Sequence, residues 1–151
     1  MESLLNLVSG QKISLISLTH SLAKSIYLGS KRYELRKTRP SIAIGDIMVI
    51  YETLPAGVIS GAFRVSRVFS GVPHELFNEI EASGFSHKSF QKYFLRCSFG
   101  YAFEIGETYK FDHPISLQEA RMLDNCFRPP QSYFYFLSNS RLGMEITNRI
   151  Q

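Results

Sequence analysis

Between Gly29 and Arg39 the chain reads Gly-Ser-Lys-Arg-Tyr-Glu-Leu-Arg-Lys-Thr-Arg, a segment whose charges are spaced for anion chemistry. Alternate side chains of an extended strand share a face. Arg32, Glu34 and Arg36 would therefore line one side and Tyr33 and Leu35 the other, with Lys31 at the corner where the preceding helix ends. Lys31 and Arg36 would hold a phosphate, the arginine presenting a planar fork to its oxygens. Glu34 has two tasks open to it: to orient Arg36, or to accept a hydrogen bond from a base amino group or a ribose hydroxyl. The same spacing also suits a solvated edge strand whose charges only discourage aggregation.

Charge placement sharpens the first of these readings. The 151 residues carry a net charge of +4. Five basic residues and one acid lie between Lys31 and Arg39, while the other twelve basic and twelve acidic residues cancel. The excess is a local anion site rather than a generally basic surface. With 44% hydrophobic and 20% charged residues, the composition suits one globular core and excludes a disordered tail. No apolar run approaches the ~18–20 residues of a membrane-spanning helix. Met1 to Val8 includes an acid and no basic start, unlike a secretory leader. Cys97 and Cys126 show no CxxC spacing, so a reducing, cytoplasmic setting is expected. His20, His74, His87 and His113 have no ligand-pair spacing, and GxSxG, P-loop, GxGxxG and HExxH motifs are absent. Neither a metal nor a cofactor is expected.

The elements that must position the charged segment are legible from periodicity. Lys12–Leu18 alternates as a half-buried strand. Thr19 or Ser21 caps a helix carrying Leu22, Ala23, Ile26 and Tyr27, and Gly29 ends it. Gly45-Asp46 turns into the apolar run Ile47–Tyr51, and Pro55-Ala56-Gly57 into Val58–Phe69, where Gly61 marks a bulge or close approach. Pro73 starts a helix with Leu76, Phe77 and Ile80, and Ser86–Phe94 forms a second. Strands are expected over 101–105 and 108–111, joined at Gly106-Glu107, then a capping box at Ser116–Glu119. After Pro129-Pro130, Tyr133, Phe134, Tyr135 and Phe136 read either as a base-stacking platform or as a last strand that buries alternate rings. Tyr51 and Phe63 read as core. This order suits a mixed, partly closed sheet with helices at its rim.

The motif Gly29-x-Lys31-x-Tyr33-Glu34-x-Arg36-Lys37 resembles the signature of ASCH domains, members of the PUA-like superfamily. Gly45–Tyr51, Gly57–Val65, Tyr101–Ile105 and Arg128–Tyr133 are similar to further stretches of that family, the last two to a bacterial and prophage subgroup labelled predicted regulators. The similarity runs from about Lys12 to Leu137. We accordingly divide the chain into an N-terminal extension (1–11), which we expect to be a helix packing on the barrel, an ASCH/PUA-like domain (12–140) and a C-terminal tail (141–151).

The resemblance implies an α+β fold, a PUA-like mixed β-barrel with helices at the rim and a cleft beside the first helix. It implies binding of single-stranded RNA or a modified nucleotide, with Lys31, Arg32, Glu34, Arg36, Lys37 and Arg39 as the binding residues. No separate helix-turn-helix is present to read a DNA groove. Some ASCH relatives are amidohydrolases of acylated cytidine or ribonucleases. In the amidohydrolases a Lys, a Thr three residues later and a later Glu act together. Lys31 matches the first, but Glu34 stands at the Thr position, and the third falls near Glu81–Gly84, with Ser83 in its place. An enzyme here would rest on Lys31 and Glu34 without a metal. A protein-interaction module is the remaining alternative.

Overall fold

The computed structural model describes residues 12–39, 41–80, 86–131, 133–137 and 139–150. In chain order the elements are β1 (Lys12–Leu18), α1 (His20–Tyr27), β2 (Tyr33–Arg36), β3 (Ile47–Glu52), β4 (Val58–Gly71), α2 (Pro73–Ile80), α3 (His87–Tyr93), β5 (Gly100–Ser116), α4 (Leu117–Leu123), β6 (Tyr133–Leu137) and α5 (Arg141–Ile150). The N-terminal extension and Glu81–Gly84 lie outside the described residues, as does the side-chain placement of the β6 aromatics.

Six strands form one mixed sheet in the order β2-β5-β4-β3-β1-β6, with β1 and β3 parallel and every other pair antiparallel. The α+β class expected from the sequence is what forms, but the sheet is open rather than a closed barrel. β2 has only four residues. On its outer side the Tyr93 hydroxyl of α3 donates to the Leu35 carbonyl at 2.9 Å. A strand so short and partly covered offers no edge for closure.

The pair of strands expected over 101–105 and 108–111 is one continuous strand, β5. It stays paired with β4 through shifts of register. The β4–β5 register shifts between Phe63 and Val65 and again between Val65 and Arg67. Such bulges bend and twist a long antiparallel pair without ending it, so Gly106-Glu107 lies inside the strand.

Local signals place α1. Its first-turn N–H of Leu22 donates to the Thr19 hydroxyl at 3.3 Å, and Gly29 follows the C-cap at φ +83°, a conformation that costs glycine little. The buried face of α1, Ala23 and Ile26, packs on Ile16, Met48, Ile50, Phe63, Val65 and Phe103. On the other face α4 and α5 cover Leu15, Val49, Tyr51, Ile59 and Ile115. Residues 141–150 therefore form a docked helix, with Leu142, Ile146 and Ile150 buried against the sheet. A third cluster joins α2 and α3 to Tyr33, Leu35 and Ala102. By strand alternation it lies behind β2, on the face opposite Glu34.

Gly61 is where backbone and side chain meet most closely. A Cβ there would stand 2.2 Å from the Tyr109 carbonyl and 2.5 Å from the Tyr27 hydroxyl. Gly61→Ala should thus destabilise the fold by about 1–3 kcal/mol through overpacking, seen as a lower urea midpoint at unchanged m-value.

Candidate nucleic-acid interface

α1 ends beside β2, and that junction assembles the charged residues. Lys31 Nζ lies 3.2 Å from Glu34 Oε2, and Arg36 Nη2 lies 3.3 Å from Glu34 Oε1. Each carboxylate oxygen therefore faces its own cation. The three side chains retain only 14%, 11% and 15% of their exposure. A solvated edge strand would leave them in water, so that alternative is not what the sheet presents.

Strand register shows what surrounds them. Arg36 pairs with Tyr101 and Glu34 with Phe103 across β2–β5, while Tyr101 pairs with Ser70 and Phe103 with Val68 across β5–β4. Partners directly opposite share a face, so Arg36, Tyr101 and Ser70 form one row and Glu34, Phe103 and Val68 the next. Above these rows opens a cleft of about 390 Å³ lined by Arg39, Ile42, Val68, Ser70, Phe99 and Tyr101. Arg39 and Ile42 also border a neighbouring depression of about 490 Å³ with Ser41, Ala43 and Asp46. There the Asp46 side chain accepts from the Ala43 N–H at 2.8 Å and fixes the loop.

The structure thus gathers Lys31, Glu34, Arg36 and Arg39 around one face and leaves out two of the expected residues. Arg32 precedes the strand and is exposed, its carbonyl accepting from the Ile105 N–H at 2.8 Å. Lys37 leans over the Tyr93 ring, 5.0 Å from its centroid, toward α3. Sequence reasoning missed Phe99, Tyr101, Val68 and Ser70 as cleft residues. The period-two run Phe99, Tyr101, Phe103 was the available signal.

Three further polar groups surround this region. Beneath α1 the Tyr27 hydroxyl meets the Ser60 hydroxyl at 2.7 Å, and burial pushes the phenol well above its ordinary pKa. At the N-terminus of α1, His20 Nδ1 donates to the buried Glu52 at 2.6 Å. Behind β2, Glu104 accepts from Arg67, from Tyr33 at 3.1 Å and from Ser66 at 2.8 Å. The Arg67 hydrogen bond chiefly lowers its pKa, against the opposing effect of burial. No cluster of three or more His, Cys, Asp or Glu able to hold a metal occurs among the described residues, nor does a helix long and apolar enough to cross a membrane.

Comparison with known proteins places this geometry in context. The ASCH domain model matches residues 16–110. A relative from Zymomonas mobilis named an ASCH domain-containing ribonuclease is 27% identical over 126 residues, covering 83% of this chain and 84% of that protein. The crystal structure of ASCH from Zymomonas mobilis superposes with TM-score 0.78 at 24% identity, covering 87% of this chain and 92% of that one. A point mutant of ZmASCH from the same organism gives TM-score 0.81 at 23% identity, covering 91% and 98%. At these identities the solved structures establish a shared fold.

Two outcomes follow from the charge geometry. Glu34→Ala leaves two cations facing each other in a partly dry site and should cost about 1–3 kcal/mol, somewhat below the ~3–5 of a fully buried pair; denaturant titration measures it. Glu104, with its native pKa lowered, adds stability that is complete above the ordinary glutamate value. That contribution is lost as the pH falls through the lower native pKa. Glu104→Gln should therefore flatten the acid limb of a melting-temperature profile and narrow its gap from the wild type as the pH falls.

Proposed function

The chain belongs to the ASCH domain family, and from that premise we propose that it binds single-stranded RNA or a nucleotide in the cleft beside Glu34. The observation that carries this reading is the burial of Lys31, Glu34 and Arg36 on the cleft face of the sheet. Removing three charges from water is costly, and a purely structural edge gains little by it. A carboxylate that aligns two cations makes a preorganised anion seat, and Arg39 extends the positive side of the cleft. The cleft's apolar floor supplies the second half of nucleotide recognition, a surface for a base.

A hydrolytic reading is favoured by one observation, the ribonuclease named among the relatives. In that reading Lys31 and Glu34 would be the reacting pair, acting on RNA or an acylated cytidine. Their mutual contact at 3.2 Å instead fits a binding role in which each fixes the other.

Fluorescence anisotropy of a labelled single-stranded RNA at 50 and 200 mM salt tests the proposal. With few phosphates neutralised, log K should fall against log salt with a slope of roughly 2–4. Arg36→Ala should weaken binding and reduce that slope by about one. No binding at the lower salt would refute the RNA form of the proposal, and titration with mononucleotides would decide the rest. Cleavage of the RNA that disappears in Lys31→Ala would favour the hydrolytic reading. A single stoichiometric protein recovered from nuclease-treated lysate, without RNA binding, would favour a protein-docking role.

A further inference from the structure

Phe99 is 44% exposed and belongs to none of the three core clusters. It stands immediately before β5, in the connector from α3, where the strand does not require its ring. Instead it meets Tyr101 edge to face, with ring centroids 5.5 Å apart and planes at 66°. An edge-on pair leaves ring faces uncovered, and both rings line the 390 Å³ cleft. Val68 and Ile42 add apolar floor, exposed Ser70 adds a hydroxyl, and exposed Arg39 adds a cation. Among the described residues no carboxylate lies within ion-pair distance of Arg39.

We infer that Phe99 and Tyr101 form the seat of one unpaired nucleobase, with Arg39 meeting the phosphate attached to it. The inference rests on the nucleic-acid reading of the cleft and adds to it the residues that take the base. Flat apolar rings beside a hydroxyl and an arginine match a heteroaromatic base with a hydrogen-bonding edge and an anionic tail. Every base has a π-face, so stacking of this kind is sequence-tolerant. The volume holds a single nucleotide, whether free or as one unit of a strand.

The chain contains no tryptophan, which makes Phe99→Trp both a conservative variant and a probe. Wild type, Phe99→Ala, Phe99→Trp and Arg36→Ala are titrated with a short single-stranded RNA, with its abasic ribose-phosphate counterpart, and with free uridine and adenosine monophosphates. Phe99→Ala should bind the RNA roughly 5- to 150-fold more weakly, the range of one base–aromatic stack. Its salt slope should stay unchanged, since no phosphate contact is lost. Phe99→Trp should restore affinity, and its fluorescence should be quenched on binding. The abasic strand should bind wild type and Phe99→Ala alike. Quenching by the monophosphates at affinities near that of the RNA would identify a free nucleotide as ligand, whereas quenching by the strand alone would identify RNA. If Arg36→Ala weakens RNA binding while Phe99→Ala does not, the base seat is wrong and the nucleic-acid reading stands. If the wild type binds neither RNA nor monophosphate, both fall together.

Discussion

A carboxylate on a short edge strand is stable out of water only if both its counterions are held in place, and Glu34 imposes that condition on its surroundings. At 8% exposure it is among the few buried charged residues of the described structure. Lys31 must arrive from the end of α1 and Arg36 from the end of β2, so the turn at Gly29 and the pairing of β2 with β5 are both constrained by one side chain. A one-residue slip of β2 would turn Glu34 toward the apolar cluster of α2 and α3. The register Glu34–Phe103 is thus specified twice, by charge on one face and by Tyr33 and Leu35 on the other.

Signals confined to a few neighbouring residues were readable in the sequence. The Thr19 cap, the Gly29 terminus, the Ser116–Glu119 box and the proximity of Lys31, Glu34 and Arg36 all follow from spacings of three or fewer positions. The close approach at Gly61 was also foreseeable, although the groups it approaches, Tyr27 and Tyr109, come from remote segments. The continuity of β5 was not legible, because it depends on register shifts in its pairing with β4, a segment remote in sequence. The open sheet was hidden for a related reason: whether an edge closes depends on what covers it, and Tyr93 lies 58 residues from Leu35. Arg32 shows the limit of alternation as a guide, since the strand begins one residue after it.

The face that carries Glu34 combines two kinds of surface that recognition usually requires together. At one end charges are fixed in place by mutual contact. At the other, apolar and aromatic groups lie partly open to solvent. The rungs Arg36–Tyr101–Ser70 and Glu34–Phe103–Val68 cross three strands that are distant in sequence. Rigid strands, rather than loops, thus set the distance between cation and ring, and preorganisation of that sort lowers the entropy lost on binding.

The pairing of β1 with β6 has a consequence for the nascent chain. Ile13 lies opposite Phe136, so one side of the earliest described strand finds its partner only when nearly the whole domain has been made. At ~5–20 residues per second of synthesis, that interval is on the order of 6–25 s. Through it β1 can shield one edge with β3 while the other presents unpaired N–H and C=O groups. Completion of the sheet therefore waits for β6, and until that segment emerges the growing polypeptide keeps an edge open to intermolecular strand pairing.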